Sequence, residues 1–343
     1  ERIDRKIFGY TMYEADECMD AVTGWMKKRY GWEESRENLF FCPGVVAAYA
    51  ALINLLTEPG DGIVLQRPIY YPFTNKANSN GRIPVDNALI YENGAYRIDF
   101  EDLDRKMADP ANKVLVVCSP HNPTGRVWER EEIEKAMEIY KANECVVISD
   151  EIWSDLTLPG FKHIPTQSVS KDARERTIAL YAPSKTFNLA GLVGSYHIIY
   201  NRMLRDRVEK ASSLSHYNSP NVLSVHALIG AYRPEGYQWV DELREVLKSN
   251  ADYAYNYILE HFKGVKLSKP EGTYMLYLDC EEWCKEHDTD MDTLLKAGVA
   301  VGVIWQDGRP FHRPYAIRLN LALPHVLVKE AFDRMDKYVF NAK

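Results

Sequence analysis

The sequence predicts an α/β protein with a mostly parallel sheet and a smaller α+β domain behind it. Three observations carry this reading: short β-branched runs separated by a helix-forming stretch, turn signatures that punctuate them, and one long helical pattern late in the chain.

Gly44 to Leu56 is apolar almost all round and stops at Glu58-Pro59-Gly60-Asp61, a turn signature, so it reads as a buried helix. Ile63-Val64-Leu65-Gln66 follows as a strand. The runs 114–118 and 145–149 flank the charged stretch Glu129 to Lys141, the strand-helix-strand pattern of a parallel sheet. Thr177 to Tyr181 and Ser195 to Tyr200 read as further strands. The helical pattern from Tyr237 to Phe262, with Pro234 and Gly236 before it and Gly264 after it, sets the expected boundary between a large domain, 1–236, and a small one, 237–343. In the latter, Gly272 to Asp279 and Ala316 to Leu321 read as strands, Met291 to Lys296 as a short helix and His325 to Phe340 as a closing helix.

Composition narrows the function. With 343 residues, 46% hydrophobic and 27% charged, the chain can bury the cores of both domains. A net charge of -7 argues against binding nucleic acid, whose phosphates select clustered Lys and Arg, and favours a small-molecule substrate. The longest apolar runs fall far short of the roughly 20 residues of a membrane span. No apolar signal segment opens the chain, and six cysteines in this length are too sparse for a secreted disulfide scaffold, so cytoplasm is the expected compartment. The start at Glu1, with Arg2-Ile3-Asp4-Arg5 reading as interior sequence, leads us to expect a further amino-terminal segment that closes over the substrate.

The residues that carry chemistry follow directly on strands: Asn122 in Ser119-Pro120-His121-Asn122-Pro123-Thr124-Gly125, Asp150 in Ser149-Asp150-Glu151, and Lys185 in Pro183-Ser184-Lys185-Thr186. Ligands of open α/β sheets sit at the carboxyl ends of the strands, so an amide, a carboxylate and an amine should converge on one crevice. Pyridoxal 5'-phosphate (PLP) requires that set. Its aldehyde needs a lysine, its pyridine nitrogen a buried carboxylate, and its phenolic oxygen a neutral hydrogen-bond donor. Each motif alone could be an ordinary turn, cap or surface amine.

The order of the three, spaced 28 and 35 positions apart, resembles the fold-type-I PLP enzymes of the class I/II aminotransferase family. Pro59-Gly60-Asp61, Pro68 to Phe73 and Arg318 to Ala322 match further family landmarks in the same order. The resemblance implies the PLP-dependent transferase fold, with a seven-stranded sheet sandwiched by helices. It implies that Tyr70 stacks on the pyridine ring and that Arg318 grips the substrate α-carboxylate, with Arg309 and Arg313 as competitors. The phosphate would rest on the N–H groups of Val45 and Val46 at a helix start, helped by the Ser184 hydroxyl. Phe8-Gly9-Tyr10-Thr11 implies that Tyr10 reaches the phosphate of a neighbouring subunit, hence a homodimer with shared active sites.

Within the family, Ile7 to Thr11, Pro43 to Val46, Gln66 to Phe73, Ala182 to Leu192 and Pro270 to Tyr274 look like the cystathionine β-lyase-like branch of carbon-sulfur lyases. Tyr71 would then steer substrate or assist proton transfer. Two departures stand out: Trp153 occupies a place where relatives carry a tyrosine or histidine against the cofactor, and Trp305 to Pro314 lacks a glycine-rich pattern. The resemblance thus implies a β-lyase acting on cystathionine, cysteine or S-substituted cysteines, with an aminotransferase as the alternative and a PLP-fold regulatory protein as a third reading, which the intact Lys185, Asp150 and Asn122 oppose. Cys280, Cys284 and His287 share a helical face but lack a fourth ligand, so no metal is expected.

Overall fold

The computed structural model describes residues 2–11, 16–215 and 218–342. Its strands, in chain order, are β1 (Leu39–Cys42), β2 (Gly62–Arg67), β3 (Ile83–Ala88), β4 (Ile90–Glu92), β5 (Ala95–Arg97), β6 (Asn112–Cys118) and β7 (Val146–Asp150). There follow β8 (Thr177–Tyr181), β9 (Ser195–Ile198), β10 (Lys266–Leu267), β11 (Met275–Asp279), β12 (Gln306–Asp307) and β13 (Ala316–Asn320). The helices are α1 (Asp16–Tyr30), α2 (Val45–Leu56), α3 (Pro72–Ser79), α4 (Phe100–Met107), α5 (Arg130–Ala142) and α6 (Lys171–Arg176). The remainder are α7 (Arg202–Ser215), α8 (Val222–Ala231), α9 (Pro234–His261), α10 (Glu281–Glu286), α11 (Met291–Ala300) and α12 (His325–Met335). Among the described residues no helix is long and apolar enough to cross a membrane.

Seven strands form the main sheet in the order β1-β9-β8-β7-β6-β2-β3. The run β3-β2-β6-β7-β8 is parallel, and β9 runs antiparallel to both of its neighbours. The central strands read as unbroken apolar runs because helices cover both faces. Successive side chains alternate between them: Ile63, Leu65, Val114, Val116 and Ile148 enter one buried cluster, which also takes in α2, whereas Val64, Leu115, Val117 and Val147 enter another with α4 and α5. The smaller sheet, β10-β11-β13-β12, is antiparallel and places Tyr277, Arg318 and Gln306 in one row across β11, β13 and β12.

Several expected boundaries shift, each for a local reason. α5 starts at Arg130 because Glu129 and Glu132 form a reciprocal capping box. α9 starts at Pro234, three residues before the expected start, since proline suits the first helical turn, where its missing N–H costs nothing. β9 ends at Ile198, and α11 runs on to Ala300. α12 ends at Met335 and continues as a π-helical turn over Asp336–Phe340. β11 begins at Met275 rather than Gly272, because Glu271 and Gly272 donate their N–H groups to the Gly125 carbonyl, both at 2.9 Å, instead of joining the ladder. That clasp fixes the Asn122 turn. Gly125 has φ +74, and a Cβ there would lie 3.0 Å from Pro270 and 3.1 Å from the Gly272 carbonyl oxygen, so no other residue fits without displacing the clasp.

Candidate active site

Register alone brings the chemistry together. Cys118, at the end of β6, pairs with Asp150 at the end of β7, and Asp150 pairs with Leu180 on β8. The segments leaving these strands carry Asn122 and Lys185, and they border a cavity of 210 Å³ that Asn122, Asp150, Lys185, Ser184, Tyr70, Trp153, Val45 and Val46 all line. A larger groove of 410 Å³ on the small domain, between Gly302 and Met335, is lined mainly by aliphatic side chains and gathers no comparable set of groups.

The floor of the cavity at one end is the first turn of α2. Gly44 caps this helix at φ +92 without a side-chain cap, so the leading N–H groups keep no intrahelical acceptor and point the positive end of the helix at the cavity. An anion is the ligand such an end takes.

Two neighbouring carboxylates behave in opposite ways. Glu151 is fully buried yet accepts hydrogen bonds from Ser149 Oγ at 3.0 Å, Thr166 N–H at 3.0 Å, His163 Nε2 at 2.6 Å and the Tyr181 hydroxyl. Burial pushes its pKa up, but His163 and these donors bring it below the ordinary value. Asp150 is also buried and, among the described residues, meets only the Ile152 N–H at 3.3 Å and the Cys118 thiol at 3.9 Å. Burial therefore dominates and lifts its pKa to about 7, against the pull of the Ile152 N–H and the Lys185 charge. Glu151 is satisfied by the fold; Asp150, which lines the cavity, has only long contacts among the described residues.

Burial lowers the pKa of Lys185, opposed by the Asp150 carboxylate and assisted by the Arg318 charge. Its Nζ lies 5.6 Å from the ring centre of Trp153, whose edge meets Tyr274 at 4.7 Å, so the residue that departs from the family pattern forms an aromatic wall beside the amine. Tyr70 lines the cavity and packs on Tyr71 at 5.4 Å. Tyr71 itself is not among the lining residues; its ring meets that of Phe311 in a T-shaped contact at 5.6 Å. Tyr10 stands exposed in the amino-terminal arm and is not among the lining residues either.

Arg318 reaches the site from the small sheet. One guanidinium nitrogen donates to Asn122 Oδ1 at 2.6 Å, the other to Gln306 Oε1, and Phe311 lies 4.8 Å beneath. With its carbonyl occupied, the Asn122 amide keeps its N–H₂ for a second partner. Of the competing arginines, Arg309 is an exposed residue paired with Asp292 and Asp307. Gln306 was not foreseen from sequence: its role exists only through the cross-strand pairing of β12 with β13. Of the cysteine-histidine cluster, Cys280 caps α10, Cys284 is buried, and His287 stacks on Trp283 at 4.5 Å.

The family model for aminotransferase class I and II matches residues 1–335. The chain belongs to that family. A curated member, the cystathionine beta-lyase PatB of Bacillus subtilis (strain 168), is 39% identical over 301 residues, covering 88% of this chain and 77% of PatB. Among solved structures, cystalysin from Treponema denticola, which contains PLP, superposes with a TM-score of 0.93 at 30% identity, covering 99% of this chain and 86% of cystalysin. The PLP-bound C-S lyase from Staphylococcus hominis gives 0.91 at 32% identity, covering 98% and 85%. The cavity fits the cofactor of these relatives: an anion-binding helix start at one end, a donor-poor buried carboxyl within, and a lysine whose burial favours the neutral amine.

Proposed function

We propose that this member of the family is a PLP-dependent β-lyase that cleaves cystathionine, cysteine or S-substituted cysteines to pyruvate, ammonia and a thiol, with consumption of one water. The observation that supports it is the convergence of Lys185, Asp150 and Asn122 in one cavity within a chain whose relatives are named cystathionine beta-lyase and C-S lyase.

PLP, when bound, supplies the electron sink that stabilises negative charge at the substrate α-carbon. In this reading the N–H groups of Val45 and Val46 and the Ser184 hydroxyl hold its phosphate, and Tyr70 packs against its ring. The Asp150 carboxylate holds the ring nitrogen in its protonated form, which supplies the donor Asp150 lacks. Asn122 donates its free N–H₂ to the phenolic oxygen. Lys185, its proton affinity lowered by burial, is the attachment point and then the base that takes the α-proton. Trp153 keeps water from the amine. Arg318, its fork aimed by Asn122 and Gln306, receives the α-carboxylate. Tyr71, beside Tyr70, would steer the substrate or assist proton transfer. Tyr10 completes the phosphate site of a second subunit, which makes the enzyme a homodimer. Six free, buried thiols suit a reducing compartment such as the cytoplasm.

The decisive assay incubates the PLP-loaded protein with cystathionine and measures pyruvate. Stoichiometric pyruvate and thiol without any added 2-oxo acid is the expected result; turnover that needs 2-oxoglutarate and yields no pyruvate would replace this reading by the aminotransferase. Arg318→Lys is expected to raise KM about tenfold or more with a smaller change in kcat, because lysine cannot make the paired contact to a carboxylate. An unchanged KM would assign the carboxylate to another residue.

A further inference from the structure

The segment that carries Asp150 and Glu151 holds a third buried carboxylate, Asp155, five residues after Asp150, in the tight turn Ser154–Leu156. Three donors converge on it. Trp25 Nε1 reaches Oδ1 at 3.0 Å, the Tyr30 hydroxyl donates to the same oxygen, and Thr186 Oγ1 donates to Oδ2 at 2.9 Å. Thr186 is the residue directly after Lys185, and it is buried, as are Trp25 and Asp155. The two oxygens of Asp155 thus divide their work: one is held by α1, the other holds the lysine turn.

Resting on the β-lyase reading above, we infer that Asp155 is a positioning residue that sets where Lys185 stands relative to Asp150, by clamping Thr186 to the segment that carries the pyridine carboxylate.

The geometry supports this over simple attachment of α1. Asp150 and Asp155 belong to one short stretch braced internally, with the Ser154 N–H on the Glu151 carbonyl at 3.0 Å and the Leu156 N–H on the Trp153 carbonyl at 2.8 Å. Any displacement of Asp155 is therefore shared with Trp153, which flanks the Lys185 amine. The lysine turn closes on itself through its backbone, Phe187 N–H to the Pro183 carbonyl and Leu189 N–H to the Ser184 carbonyl, both at 2.9 Å. The Thr186 hydroxyl is the side-chain tie from this turn to the Asp150 segment. Burial, and then the neighbouring Asp155, push the Tyr30 phenol well above its ordinary pKa, so it stays a donor. An ångström of misplacement near a reacting group costs about two orders of magnitude in rate, so a clamp of this kind reads out in kcat.

The test uses PLP-loaded Thr186→Val, Thr186→Ser and Tyr30→Phe. Two properties are followed: kcat and KM for β-elimination, and the pH midpoint of the bound cofactor's visible absorbance. Thr186→Val, which keeps the shape and loses the hydroxyl, is expected to lower kcat about tenfold with KM within about twofold, and to displace the midpoint; Thr186→Ser restores both. Tyr30→Phe removes the donor to the far oxygen of Asp155 together with a 2.8 Å contact to the Ser154 hydroxyl, and neither involves Thr186, so a midpoint displaced in the same direction shows transmission through the Asp155 segment. If Thr186→Val and Tyr30→Phe change only the melting temperature while kcat and midpoint stay wild-type, Asp155 fastens α1 and the inference is overturned. A wild-type protein that binds no PLP would instead overturn the β-lyase reading, and this inference with it.

Discussion

Lys185→Ala is expected to leave a folded protein that no longer retains PLP after borohydride treatment and denaturation, and to lose β-elimination by about 10⁴-fold or more. Two functions fall together in this substitution, covalent attachment and proton transfer, and removal of a positioned general base alone accounts for about 10²–10⁴. Lys185→Arg separates them from charge: arginine keeps a cation beside Asp150 but cannot attach the aldehyde or give up its proton. Mass spectrometry of the reduced, denatured protein checks the attachment directly. A cofactor adduct that persists in Lys185→Ala would show that another amine holds PLP, and the placement of the base would have to move with it.

What the sequence discloses about this site, and what it hides, follows from the range of the interactions. Asn122, Asp150 and Lys185 are legible because each stands immediately after a short strand of a parallel sheet, so a strictly local signal also fixes their position in space. The start of α2 is legible for a similar reason, a glycine followed by an apolar helix. Asp155 is hidden: read alone it is one more acid in a turn, and its partners Trp25, Tyr30 and Thr186 lie 130, 125 and 31 positions away. Gln306 is hidden because only the pairing of a two-residue strand with β13 brings it to Arg318. Trp153 was visible as a departure from pattern, but its contact with the Lys185 amine depends on how the turn after β7 folds back. The shift of β11 to Met275 has the same origin: Gly272 has strand-like neighbours, but its N–H is claimed by the Gly125 carbonyl, 147 positions earlier.

The contrast between Asp150 and Glu151 leads to a pH experiment whose sign is fixed by the fold. Asp150 titrates near 3.8 in an unfolded chain and at about 7 in the cofactor-free fold, because burial without adequate donors disfavours its charge. Below pH 4 it is protonated in both states and imposes no penalty. As pH rises through 7 the unfolded chain has released a proton that the fold still holds, so stability is lost across the interval from about 4 to 7, on the order of 4 kcal/mol at most. Cofactor-free Asp150→Asn, neutral throughout and of the same shape, should escape that loss and melt above the wild type at pH 8 while matching it near pH 4. Glu151→Gln should do the opposite, since it removes the charge that His163, Thr166 and Tyr181 were arranged to stabilise. Added PLP should reverse the order of wild type and Asp150→Asn, because a protonated ring nitrogen gives the Asp150 carboxylate its missing partner and the asparagine nothing to hold it by. Turnover of Asp150→Asn should fall by about 10³, since a ring that loses its proton is a poorer electron sink. Melting curves with and without PLP between pH 4 and 8 would decide the matter. Parallel curves for wild type and Asp150→Asn would mean that Asp150 is neutral or otherwise satisfied in the fold, and would remove the electrostatic reason for placing the pyridine nitrogen beside it.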